Sequence, residues 1–438
     1  MKLLHLVPAY FPEGAGGIQN YVRRLVQEQR AQGYEVAVLT GQPEGRPQVE
    51  LVRDEFEGVR VWRLYRNDPF LEHYSRGVHP VAREQILRLV RDEGFELLHL
   101  HSWIRLSGDL VSTARDRGLS CLVTLHDYLV SCARCYRHHA NGQACTLPFA
   151  AENCVPCAPR FGHEDDALVA RGLELFSKTL QQELFSAERV LVSTAGMRER
   201  LTAWTAWDAS RCDVLPLPEE VDLALAPVPA EGPPWKLVTW GRQAWHKGTG
   251  LLLDALRTLG PDARQFELEI LGPCEPEDFA ADLRRRAEGL PVRFSGAFEP
   301  AELARIPAHL AVFSTACLET HGLVLDEARA LGWPALVPDT GALGDRAGAG
   351  EAAYRHDDPQ ALAECLRRWA AEAAWRQGLG DAARAAAPAD TTWARHVAAL
   401  ERLMEAARQN EVGAISGPPE GDADWRRLRA DLDGSAPF

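Results

Sequence analysis

Short apolar runs alternate along this chain with segments whose apolar residues recur every three or four positions, the pattern of strands interleaved with helices. Leu3 to Val7 predicts a buried first strand. It passes through the turn residues Pro12, Gly14, Gly16 and Gly17 into a helix with Ile18, Tyr21, Val22, Leu25 and Val26 on its apolar face. Glu35 to Leu39 and Val59 to Leu64 predict further strands. A helix around Val81 to Val90 precedes the apolar run Leu97, Leu98 and Leu100, and a second helix leads to the strand Leu122 to Leu125. Such runs belong to a mostly parallel sheet covered on both faces, with ligands expected beyond the carboxyl ends of the strands. After the strand Val190 to Val192 comes a segment rich in proline and acid, Pro216 to Pro234, which reads as a linker. A second alternating series then runs through Leu237 to Trp240, Phe266 to Leu271, Leu310 to Phe313 and Pro334 to Val337. Trp393, Val397, Leu400 and Met404 share one face of a last helix, and beyond Gln409 the glycine, proline and aspartate content predicts weak order.

The expected organisation is therefore α/β, with an amino-terminal domain over 1–215, a linker over 216–234, a second domain over 235–385, a helix over 386–408 that packs back on the body, and a tail over 409–438. A length of 438 residues suits two such domains, and 46% apolar with 25% charged residues is a globular composition. A net charge of -14 argues against nucleic acid as a partner, because binding a polyanion needs clustered cations. The first residues carry one lysine and a short apolar run broken by Pro8 and Pro12, which reads as a strand rather than an export signal. No stretch approaches the ~20 apolar residues of a spanning helix. The expectation is a cytoplasmic protein without a transmembrane segment, in which peripheral membrane contact stays open.

The most informative chemistry lies in CLETHGLVLDEARALGWPALVPDTGAL, where Glu319 precedes Glu327 by eight positions at the entry to a helix. Gly322, Leu323 and Val324 are expected to form that helix's first turn, whose free amide hydrogens and positive dipole end suit a diphosphate. Glu327 would accept hydrogen bonds from ribose hydroxyls, and Glu319 in the preceding loop from sugar hydroxyls. Upstream, GRQAWHKG places Arg242 and Lys247 at a strand's carboxyl end, where two cations neutralise a diphosphate and ease departure of the leaving group without a catalytic metal. Lys247 is one of only four lysines in the chain. In the first half, the glycines at 14, 16 and 17 either admit a sugar or phosphate near the backbone or make a tight turn. His101 and His126 each follow an apolar strand, in LLHLHS and LVTLHDY, and share a position beyond the strand ends.

Together these segments resemble the retaining glycosyltransferases of family four, and the resemblance covers nearly the whole chain. It is carried by GAGGIQNYVRRL, LHLHS, TLHD, GRQAWHKG and ETHGLVLDEARALGWPALVPDTG with its E-x7-E spacing. The resemblance implies the GT-B fold, two doubly wound Rossmann-like domains facing each other across a cleft. It implies transfer of a hexose-type sugar from a nucleoside diphosphate to a hydroxyl acceptor, with retention of anomeric configuration. It assigns Gly16 and Gly17 to the donor phosphates and acceptor, His126 to the transferred sugar, Arg242 and Lys247 to the diphosphate, Glu319 to the donor sugar and Glu327 to the ribose. His126 and Glu319 are thus the catalytic candidates, and His101 is an acceptor-side candidate. His321 stands where an aromatic residue is commoner, and Ala342 replaces a frequent glycine. A glycan, a lipid-linked intermediate or a small molecule would serve as acceptor. Two other readings use the same residues: a sugar-nucleotide epimerase of the same fold, and a non-catalytic zinc-stapled binding protein on a transferase scaffold.

An insertion over about 128–162 holds Cys132 and Cys135 in one C-x2-C and Cys154 and Cys157 in another, with eighteen residues between. That spacing fits a structural zinc site of four thiolates, with Cys145 as a further candidate; reduced thiols or disulfides are the alternative.

Overall fold

The computed structural model describes residues 1–14, 16–69, 71–205, 207, 212–385 and 391–408; the expected tail beyond 409 lies outside them. Contacts divide the chain into two units. The first comprises Met1–Cys135, Leu147–Pro216 and the segment from Trp393, and the second comprises Tyr136–Thr146 and Leu217–Thr392.

The first unit is built on eight strands: β1 (Lys2–Val7), β2 (Glu35–Gly41), β3 (Glu50–Phe56), β4 (Val59–Tyr65), β5 (Leu97–Leu100), β6 (Ser120–Leu125), β7 (Arg189–Val192) and β8 (Cys212–Val214). They lie in the order β3-β4-β2-β1-β5-β6-β7-β8, all parallel except β3. The central strands β1, β5 and β6 are buried nearly end to end, as strands with helices on both faces must be. β3 sits at the edge with Glu50, Arg53, Asp54 and Glu55 exposed, and its charges protect that edge from pairing with another chain. This strand carries too little apolar residue for the sequence pattern to find it. The last helix, Trp393–Arg408, buries His396, Val397, Leu400, Met404 and Ala407. It packs on helix Gly17–Ala31 and on β6, and the Tyr21 hydroxyl is hydrogen-bonded to His396 Nε2 at 2.8 Å.

The second unit holds six parallel strands: β9 (Trp235–Trp240), β10 (Phe266–Leu271), β11 (Val292–Gly296), β12 (Leu310–Val312), β13 (Ala335–Pro338) and β14 (Glu351–Tyr354), ordered β11-β10-β9-β12-β13-β14. Alternation along β9 shows how both faces are filled. Trp235 and Leu237 join a core with Leu252, Leu256 and Phe266, while Val238 and Trp240 join one with Leu325, Ala328 and Trp333.

Two segments depart from the expected organisation. Leu217–Pro234 is anchored to the second unit at points along its length: Leu217 and Ala226 are buried, and the Ala226 amide donates to Leu331 O at 3.0 Å. Tyr136–Thr146, expected within the amino-terminal insertion, belongs to the second unit, where the Ala144 amide donates to Asp357 Oδ2 at 2.7 Å.

Candidate active site

Each sheet reverses its strand order once, between β1 and β5 in the first unit and between β9 and β12 in the second. Loops leaving neighbouring strands in opposite directions open a crevice there; Gly16, His101, Arg242, Lys247 and Glu319 fall on these loops, His126 follows the neighbouring strand β6, and Glu327 lies in the helix after β12.

In the second unit, Gly248 (φ 68°) closes the turn after β9 in a left-handed conformation, and a Cβ on it would lie 1.7 Å from Ser314 O. That close approach locks the loops after β9 and β12 together: the Ala316 amide donates to His246 O at 3.0 Å and the Ser314 hydroxyl to Gly248 O at 2.9 Å. Lys247 is thereby set against Glu319, with Nζ donating to Oε1 at 2.6 Å. Burial alone would raise the Glu319 carboxyl, but the neighbouring ammonium outweighs it and holds the group below its usual value. Lys247 is shifted in the complementary sense: burial works against its charge, and Glu319 raises it above the ordinary lysine value. Gly341 (φ 60°) brings a second backbone close, since a Cβ there would meet Glu319 N at 2.9 Å.

Gly322 is the N-cap of helix Leu323–Leu331, in a left-handed conformation, with Leu323 and Val324 as the first helical residues. It thus precedes the first turn rather than belonging to it. No side chain caps this end, so its amide hydrogens stay available to an anion. The helix start is held by Asp326, buried and paired with His321 (3.0 Å) and with Arg346. Glu327, half-buried, accepts a hydrogen bond from Trp240 Nε1, and burial pushes its carboxyl up to about 7.

The Arg242 side chain is 63% exposed and pairs with Glu275 at 3.3 Å, whereas Lys247 is paired with Glu319. Arg242 follows Gly241 just beyond the end of β9, before the turn that carries Lys247. Tyr136 escaped the sequence reading altogether. Its ring stacks on His246 at 4.2 Å and 8°, and the Leu318 amide donates to its carbonyl at 3.3 Å, beside the Lys247–Glu319 pair.

In the first unit, His101 and His126 come together, His101 Nδ1 being hydrogen-bonded to His126 Nε2 at 2.9 Å. The bond continues from His101 Nε2 to His5 Nδ1 at 3.0 Å and from His5 Nε2 to Gln29 Oε1 at 2.8 Å. His5 was not anticipated; the parallel pairing of β1 with β5, which sets His5 opposite His99, is the signal that would have found it. Tyr21 lies against His126, with ring centroids 5.2 Å apart. Gly16 caps helix Gly17–Ala31 with φ 171°, an extended conformation open to any residue, so neither glycine is demanded by backbone strain. The helix start lacks a side-chain cap, as at Gly322.

The two cysteine pairs each close a tight turn, with the Cys135 amide donating to Cys132 O at 2.9 Å and the Cys157 amide to Cys154 O at 3.0 Å. Arg134 donates to Cys157 O at 3.4 Å, so the two turns are neighbours. Burial, reinforced by Asp127 and Cys132, raises the Cys135 thiol well above its ordinary value. Among the described residues, no three of these sulfurs lie within 4.8 Å of one another. As placed, the pairs do not form a closed four-thiolate shell, and Cys145 lies on the segment that joins the second unit, where Arg137 donates to its sulfur at 3.6 Å. No described helix is long and apolar enough to cross a membrane.

Comparison with known proteins agrees with this arrangement. Residues 16–218 match the glycosyl transferase 4-like domain, and residues 234–372 match the glycosyl transferases group 1 family. No curated protein matches the chain in sequence. Among solved structures, the sucrose-phosphate synthase of Thermosynechococcus elongatus superposes with a TM-score of 0.62 at 20% identity, over 98% of this chain and 100% of that one. An α,α-trehalose-phosphate synthase (UDP-forming) from Burkholderia xenovorans, in complex with glucose-6-phosphate, gives 0.61 at 13% identity, covering 92% of this chain and 99% of that one. The Anabaena protein HepE in complex with UDP-glucose gives 0.58 at 12% identity, over 94% and 100%. At such identities the likeness is one of fold, two Rossmann-like domains with parallel sheets. Since a 4-like domain is followed along the chain by a group 1 domain on that fold, the chain is a glycosyltransferase of the GT-B superfamily.

Proposed function

We propose that this protein transfers a sugar from a nucleoside-diphosphate sugar to a hydroxyl acceptor with retention of anomeric configuration, as a family four enzyme. The observation that carries the reading is the Lys247–Glu319 pair beside the uncapped start of helix Leu323–Leu331. An arriving diphosphate competes for the Lys247 ammonium and takes the amide hydrogens of Leu323 and Val324. Glu319, released from the lysine, accepts hydrogen bonds from the donor sugar, and Glu327 accepts them from the ribose. The developing negative charge on the leaving diphosphate is stabilised by Lys247 and the helix start, which needs no catalytic metal. His126 is assigned to the transferred sugar, His101 and the Gly16–Gly17 helix start to the acceptor side, and Arg242 to long-range attraction of the donor. No side chain is assigned as a covalent nucleophile, so retention follows from attack on the face that the leaving group vacates. A structural zinc on the four cysteines is proposed on spacing alone, and it requires the two neighbouring turns to close on the ion.

Structures of similar fold carry UDP, UDP-glucose or ADP, which makes uridine and adenosine donors the first to try. Native mass spectrometry against a panel of nucleotide sugars is expected to show one nucleotide class retained, and nuclear magnetic resonance of the product the donor's anomeric configuration. An inverted product would refute retention, and conversion of the donor sugar without any acceptor would make the protein an epimerase.

A further inference from the structure

We propose that His5, His99 and His101 form a buried site for one divalent transition-metal ion, of the zinc or cobalt class, at the strand reversal of the first unit.

The three histidines are brought together by register. His5 on β1 faces His99 on β5 in parallel pairing, and His101 follows two residues later on the same face. All three are at most 2% exposed, and one ring nitrogen from each lies within 4.8 Å of the other two. Their remaining hydrogen bonds sort the nitrogens into an outer and an inner set. His5 Nε2 meets Gln29 Oε1 at 2.8 Å, His99 Nε2 meets Thr124 Oγ1 at 2.7 Å, and His101 Nδ1 meets His126 Nε2 at 2.9 Å. Each outer nitrogen faces a group able to accept a proton, the support that orients metal-bound imidazoles. What remains is His5 Nδ1, His99 Nδ1 and His101 Nε2.

The inner set is poorly explained without an ion. An N–H···N bond accounts for His5 Nδ1 and His101 Nε2, 3.0 Å apart, but His99 Nδ1 is buried and has no hydrogen-bond partner among the described residues. Two nitrogens on one tetrahedral zinc stand ~3.4 Å apart, given Zn–N bonds of about 2.05 Å. The observed spacing is close to this. Bound at the inner nitrogens, the ion makes every outer nitrogen a donor, and His126 Nε2 then accepts from His101.

The test uses the full chain. Purified protein is dialysed against a weak chelator, and bound metal is counted by elemental mass spectrometry in the wild type, His99→Leu and Thr124→Val. The expected result is that the wild type holds one equivalent more than His99→Leu, with the affinity for that equivalent reduced about tenfold to hundredfold in Thr124→Val, whose valine cannot accept from His99. Cobalt added to the apoprotein should give visible bands of a tetrahedral nitrogen site that vanish in His99→Leu. Any sulfur-to-cobalt charge-transfer band from the cysteine pairs should persist there. Equal metal content and equal visible bands in wild type and His99→Leu would overturn the site. If His99→Leu does not fold, unchanged affinity in Thr124→Val overturns it instead. Neither outcome depends on glycosyl transfer.

Discussion

Exchanging the two partners of the Lys247–Glu319 pair separately should move donor binding in opposite directions. Lys247→Met keeps the aliphatic stem and removes the ammonium, and Glu319→Gln keeps the shape and removes the negative charge. In the free protein the two groups are 2.6 Å apart, with 38% and 20% of their side chains exposed. A half-buried pair of this kind contributes about 1 kcal/mol, so freeing the ammonium in Glu319→Gln should tighten binding of the bare nucleoside diphosphate about fivefold. An ammonium-to-phosphate hydrogen bond contributes roughly 1.5–3 kcal/mol, so Lys247→Met should weaken the same ligand roughly 10- to 150-fold. For the intact sugar nucleotide the gain in Glu319→Gln should disappear, because the carboxylate's bonds to the sugar are lost together with its competition for the lysine. Calorimetric titration at low ionic strength, with the nucleotide that mass spectrometry selects, measures all four constants. If Lys247→Met binds the diphosphate as tightly as wild type, or Glu319→Gln weakens it to the same extent, the placement of the diphosphate on this pair is wrong.

Four further outcomes follow from the structure. Because only an ionised Glu327 accepts from both ribose hydroxyls and its carboxyl sits at about 7, donor affinity should rise between pH 6 and pH 8, and Glu327→Gln should flatten that profile in binding titrations. Its folded pKa lies above the unfolded 4.5, so the stability it contributes is full below about 4.5 and is lost as pH rises through about 7; Glu327→Gln removes that slope from denaturant midpoints. Glu183 is fully buried and accepts from Trp103 Nε1, Val111 N and Ser112 N at 2.7–2.8 Å, so Glu183→Ala orphans three donors and should destabilise the first unit by about 3 kcal/mol in urea unfolding. Tyr136→Ala should leave the thermal midpoint within about 2 °C, as an exposed residue does, while raising the donor KM severalfold through loss of its stack on His246.

The sequence by itself determined the elements and the chemistry that sits on contiguous residues. Apolar periodicity located the buried strands, because a strand covered on both faces must be apolar throughout, and the E-x7-E segment placed Glu319 before and Glu327 inside one helix, because both lie on one contiguous stretch that Gly322 divides into loop and helix. The four edge strands Glu50–Phe56, Cys212–Val214, Val292–Gly296 and Glu351–Tyr354 escaped because little of their length is buried, so little in their pattern had to be apolar. Only the tertiary structure decided which side chains from distant segments meet. It set Lys247 on Glu319 and turned Arg242 to Glu275, five residues apart though they are. It sent Tyr136–Thr146 to the second unit while the flanking cysteines stayed in the first, and it brought His5 to His99 and His101 through strand register. Local patterns record each residue's own need for burial or solvent; pairing across a sheet or between loops is a property of two segments at once, and a one-residue change of register would have broken it without altering either pattern much.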